Sequence, residues 1–152
     1  MDNPYAPPAN KSAASPRITL YSPGHIAWAT FLGAPIAGFV LLALNYRRFG
    51  NSAAANLALI AGLIGTVLVL AIASVLPDSF PNSVLPAAYT FGMYLSVKSL
   101  QGNEYEHRLA NGGIKGSGWV ATGIGILSFV VILVALLAVV LVSPEEWFGE
   151  EL

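Results

Sequence analysis

Apolar and polar positions in this chain do not alternate; they separate into blocks. Four stretches carry no Asp, Glu, Lys, Arg or His: Ile26 to Leu44 (19 residues), Leu57 to Leu76 (20), Val84 to Val97 (14) and Trp119 to Val142 (24). An α-helix needs ~20 apolar residues to cross ~30 Å of hydrocarbon, and a soluble core helix of that length keeps a polar face. Three blocks reach or nearly reach the length. The pattern predicts an all-α integral membrane protein, a four-transmembrane-helix bundle with spans over about 24–49, 53–76, 82–109 and 118–142. The third block is the weakest. Its five Leu, Ile, Val and Phe residues, against 16 in the fourth, give ~1.5 to 3 kcal/mol of insertion free energy against ~5 to 10 kcal/mol. Extended to Leu100 it reaches the lower limit of a span, and packing against inserted helices lowers the cost of its hydroxyl groups. The alternative is three spans, with segment 84–100 not crossing.

Punctuation refines the boundaries. Ser22-Pro23 offers an N-cap and a proline at N1, so the first helix begins near residue 23. It continues through Asn45-Tyr46-Arg47-Arg48-Phe49 to Gly50, which suits the left-handed C′ position, and Asn51 or Ser52 caps the second helix. The first two helices thus form a hairpin with a very short turn. Pro77 and Pro81 bracket the next turn, and Asn111-Gly112-Gly113 ends a third helix that runs past the membrane to about Leu109 with Glu104 and Arg108 at i, i+4. The chain divides into a mobile, proline-rich tail (1–22), a single transmembrane helical domain (23–142) and an acidic C-terminal tail (143–152). In the last, Ser143-Pro144-Glu145-Glu146 reads as a capping box that starts a short interfacial helix holding Trp147 and Phe148. The first 22 residues lack the apolar core of a cleavable signal, so the first apolar segment is expected to persist in the mature protein.

Charge gives an orientation. With four spans, Arg47, Arg48, Lys98, Arg108 and Lys115 share one side against Lys11 and Arg17 on the other, which puts both loops in the cytoplasm and both termini outside. If the third segment does not span, the bias is again 5 to 2, with the N-terminus and the 77–118 region inside and the acidic tail outside as before. Net charge is -1 over 152 residues, which offers no basic face for nucleic acid, and the absence of cysteine excludes disulfides and thiolate chemistry.

Small residues recur every fourth position: Ala29, Gly33 and Ala37 with Thr30, Ala34 and Gly38; Ala54, Ala58, Gly62 and Thr66; Ala121 and Gly125. Such stripes let helices approach closely in lipid. They fit packing within the chain, and alternatively a homo-oligomeric seam. Pro35 removes the hydrogen bond to the Phe31 carbonyl and predicts a bend in the first helix. No acid, base or histidine lies inside any of the four apolar stretches, which argues against proton relays, voltage sensing and ion-coupled transport. Polar candidates gather at the cytoplasmic end: Lys98, Gln101, Glu104, Tyr105, Glu106, His107 and Arg108. Glu104 and His107 have the i, i+3 spacing of two metal ligands on one face, but two common residues make a solvated polar cap the simpler account. His25 is expected at the interface. Gly112 to Gly118 fails the phosphate-loop pattern, since Gly113 and Gly118 are followed by Trp119-Val120 where that loop needs Lys-Ser/Thr, and reads as a flexible connector whose lysine anchors at the anionic leaflet.

Tyr21-Ser22-Pro23-Gly24-His25-Ile26, Ala29 to Gly38 and Asn45-Tyr46-Arg47-Arg48 resemble the opening of a set of small bacterial inner-membrane proteins of unknown function. Those proteins also tend to carry a glutamine and a histidine after the third apolar segment, as Gln101 and His107 stand here. The Asn3-Pro4-Tyr5-Ala6-Pro7-Pro8 start resembles tails of many small inner-membrane proteins, in some of which the N-terminus is cytoplasmic. The resemblance implies a bacterial inner-membrane location and no activity.

With no catalytic constellation in view, no residue is assigned a catalytic, cofactor-binding or metal role, and no cofactor is expected. The expected function is that of a non-enzymatic accessory or interaction subunit. Its partners would be the lipid bilayer and another membrane protein, or a second copy through the Gly/Ala faces. The alternative is an oligomeric pore for a small uncharged solute, lined by the Gly/Ala/Thr faces of the first two helices.

Overall fold

A computed structural model describes residues 18–142. They form β1 (Thr19–Leu20), α1 (Pro23–Arg48), α2 (Ser52–Val75), α3 (Val84–Ala110), β2 (Ile114–Lys115) and α4 (Gly118–Val142). The molecule is helical, and α1, α2 and α4 are long and apolar enough to cross a membrane by length and composition. The capping box at Ser143 and the aromatic pair Trp147 and Phe148 lie outside the described residues, as does most of the N-terminal tail.

Several boundaries sit where local chemistry puts them. Ser22 Oγ accepts the His25 N–H at 3.3 Å and Pro23 occupies the first helical position. Gly50 has φ +82°, and Asn51 Oδ1 accepts the Ala54 N–H at 2.9 Å to start α2. Gly112, at φ +93°, turns the chain out of α3.

The first helix departs from expectation. It does not bend at Pro35; it breaks and reverses. Gly33 (φ -123°, ψ 26°) and Ala34 (φ 60°, ψ -179°) leave helical geometry, and the extended ψ of Ala34 is the one a following proline demands. Tyr21 and Asn45, which a straight helix would hold ~36 Å apart, are hydrogen-bonded. Asn45 Oδ1 accepts the Tyr21 N–H at 2.9 Å and Asn45 Nδ2 donates to the Tyr21 carbonyl at 2.8 Å. A Cβ built on Gly38 would collide with Thr30 Oγ1. The element is therefore a helical hairpin, with a first arm over residues 23–32 and a second over 35–48, of ~15 and ~21 Å.

The other helices surround this hairpin and each packs on it. On α2, Ala55, Ala58, Gly62 and Thr66 are buried; a Cβ on Gly62 would stand 2.6 Å from Phe39 Cβ. Met93, Val97 and Gln101 of α3 face the second arm, and Ala121 and Gly125 of α4 meet the first. The small-residue stripes are thus used inside the chain, with Ala55 in the place expected for Ala54. At the open end of the hairpin β1 pairs in parallel with β2, Thr19 opposite Ile114 and Leu20 opposite Lys115. The start of the described chain, the start of α2, the end of α3 and the start of α4 therefore share one end of the bundle. α2, α3 and α4, ~36 to ~40 Å long, run on beyond the hairpin tip to the other end, where residues 76–83 connect α2 to α3.

Candidate functional site

Two polar regions stand out, one at the hairpin's open end and one at its tip. At the open end, Asn45 (1 % exposed) and Gln101 (2 %) are buried in an otherwise apolar core. Asn45 Nδ2 donates to Gln101 Oε1 at 3.2 Å, and Gln101 Nε2 donates to the Leu42 carbonyl at 3.3 Å. Arg48 donates to the Thr19 carbonyl and its guanidinium lies 5.1 Å from the Tyr21 ring centroid. Buried amides survive only when satisfied; here they lock the two arms and α3 together. This is a clamp, and it is fully occupied by its own partners.

The remaining candidates on α3 separate by face. Gln101 and Tyr105 turn inward, while Lys98, Glu104, Glu106 and His107 are exposed. Arg108 Nε pairs with Glu104 at 2.6 Å and its guanidinium stacks 5.5 Å from the Phe49 centroid. Among the described residues no three His, Asp or Glu side chains come together in a group able to hold a metal ion. The glycine-rich link is structural: a Cβ on Gly116 would meet the Tyr21 ring at 2.7 Å, and one on Gly113 the Arg108 carbonyl oxygen at 2.8 Å. Those glycines let β2 lie against β1. His25 sits at the start of the first arm, its imidazole facing the start of α4 at Gly118.

The tip is chemically different. Pro35 has no N–H, and the Ile36 N–H, which a continuous helix would direct to Leu32, is accepted by Thr66 Oγ1 at 2.9 Å; Thr66 in turn donates to the Gly62 carbonyl at 2.8 Å. The amino end of the second arm is thereby capped. The carboxyl end of the first arm loses the donor that Ile36 would have given to Leu32, and Pro35 has none to give to Phe31. Above it lies a cavity of about 550 Å³, floored by Phe31, Leu32 and Ala34, walled by α2, α3 and α4, and bordered by Pro77, Asp78, Phe80 and Asn82 of the α2–α3 turn. A second space of about 460 Å³ opens between α2 and α4, lined by Leu63, Val67, Leu127 and Val131 among others, with Thr66 and Ser128 its polar members. In the sequence Pro35 predicts only a bend, and the cavity is not legible there, because nothing in a linear pattern says that a helix will turn back halfway.

No protein-family model, no curated protein and no solved structure matches this chain.

Proposed function

We propose that the protein is a non-enzymatic, multi-pass protein of the bacterial inner membrane that binds a small solute in the cavity above the hairpin tip, with the hairpin as the closed floor of a permeation path. One observation carries this reading: the central element stops part-way through the bundle, and the space beyond it stays open. In a membrane the arms are each too short to cross ~30 Å, so α1 enters and leaves by the same face and α2, α3 and α4 cross. The Gly/Ala/Thr faces expected to line a path are closed against each other, so the cavity residues take that role instead.

The same arrangement supports an orientation. The end shared by residues 45–52 and 98–118 gathers Arg47, Arg48, Lys98, Arg108 and Lys115, every Lys and Arg among the described residues. By the positive-inside rule that end, where β1 also lies, faces the cytoplasm and the end of α4 faces outside, in place of two outside termini.

Thermal unfolding of the purified protein against a panel of small amphiphiles tests the reading. At least one compound should stabilise saturably, by ~2.7 kcal/mol at a hundred times its Kd, and Ala73→Trp, which fills the cavity wall, should abolish the effect. A flat response across the panel would overturn it. The accessory-subunit reading is favoured by the almost wholly apolar space between α2 and α4, and predicts that a photo-crosslinker at Leu127 captures one membrane protein in high yield.

A further inference from the structure

We infer that the cavity above the hairpin tip is a site for a lipophilic organic monocation; this deepens the solute-binding reading and rests on it. The walls are apolar along α2 and α4, with Val69, Leu70, Ala73, Ile132, Leu133 and Leu136, which selects against a strongly hydrated ion. Four aromatic side chains, Phe31, Phe80, Tyr89 and Phe129, border the space, and aromatic faces attract cations. Asp78, exposed in the α2–α3 turn, borders the space, and among the described residues no Lys, Arg or His lines it. An anion would meet a carboxylate with no countercharge, whereas a cation would meet one opposite charge and several ring faces.

The floor points the same way. Two helix ends of opposite polarity meet at the tip, and they are not equivalent. The amino end of the second arm begins with a proline that has no N–H, and its next N–H is taken by Thr66. The carboxyl end of the first arm carries the negative end of its dipole, and its residues Phe31 and Leu32 line the cavity. Neither Pro35 nor Ile36 therefore offers an N–H to the floor. Four rings and one carboxylate around an apolar space distinguish this site from the space between α2 and α4, whose lining among the described residues has no charged group and no aromatic ring.

The test uses two ions of one shape and opposite charge. Purified full-length protein in a neutral detergent is equilibrated by dialysis with tetraphenylphosphonium or tetraphenylborate. Saturable, near-stoichiometric retention of tetraphenylphosphonium and none of tetraphenylborate is expected. Asp78→Asn should weaken tetraphenylphosphonium binding by about fivefold or more, and Phe31→Leu should weaken it further. Glu106→Gln, which removes an acid at the opposite end, should leave it unchanged. Asp78 is exposed in a turn, so its replacement should leave the unfolding temperature of the protein in place. Equal retention of both ions, or an Asp78→Asn variant that binds as the parent does, would overturn the cation assignment while leaving a solute site. Retention of neither ion, together with no stabilisation by any compound of the amphiphile panel, would remove the solute-binding reading itself.

Discussion

Ala34 carries the most costly backbone in the described chain. Its φ of 60° with ψ of -179° lies in a region that essentially only glycine enters freely, at a cost of ~1 to 3 kcal/mol for other residues. The surrounding contacts outweigh that cost: Gly33 is pressed so closely on α4 that a Cβ there would strike the Gly125 carbonyl oxygen. Ala34→Gly should therefore stabilise the protein by about 1 kcal/mol, once ~0.5 to 1 kcal/mol of extra glycine chain entropy is set against the relieved strain. Gly50 gives the converse case. Its φ is +82° and a Cβ would have nothing within 4 Å, so Gly50→Val is penalised by the dihedral alone, by ~1 to 2 kcal/mol. Denaturant titration in mixed micelles reads both. A neutral Gly50→Val would show that the α1–α2 turn tolerates a right-handed backbone.

At the scale of the element, the hairpin is held at two points by side chains that supply what the broken backbone lacks. Thr66 caps the second arm at the tip, and Asn45 ties the open end to Tyr21 and Gln101. In lipid no water substitutes for a lost partner. Thr66→Val keeps the shape and removes the acceptor, so it should cost ~1 to 3 kcal/mol, while Thr66→Ser should retain most of the stability. If Val and Ser behave alike in the same titration, the Ile36 N–H finds another partner and Thr66 is a packing residue only. The stripe Ala58, Gly62 and Thr66 is continuous with this role, since the small side chains bring α2 close enough for the hydroxyl to reach across.

For the whole molecule, the hairpin occupies one end of the bundle and three helices run past it. Cysteine labelling separates this from a four-span bundle, and the absence of native cysteine makes single substitutions clean. With an impermeant thiol reagent on intact cells, Ser79→Cys and Glu150→Cys should react, whereas Ser15→Cys and Asn111→Cys should react only after the membrane is opened. Four crossings require Ser15→Cys and Ser79→Cys to respond alike. The opposite labelling, with only Ser15→Cys and Asn111→Cys reactive in intact cells, would keep the hairpin and invert the orientation derived from the basic residues.

The block pattern of apolar residues was enough to establish helices and a membrane setting, because burying charge in hydrocarbon is costly wherever the segment packs. Local punctuation was equally legible: Ser22, Gly50, Asn51 and Gly112 act through their own backbone and the next turn, and need no distant partner. The stripes of small residues announced close packing but not between which surfaces. Residues 23–48 show where linear reading stops. Length and composition describe one span, and Pro35 alone permits either a bend or a break. The break is chosen by groups far away in sequence: Thr66 takes the Ile36 N–H, Gly125 leaves room for Gly33, and Asn45 and Gln101 close the open end. Reversal frees the Ile36 N–H, which Thr66 accepts from another helix, so the cavity above the tip, and any chemistry it holds, was decided by tertiary structure.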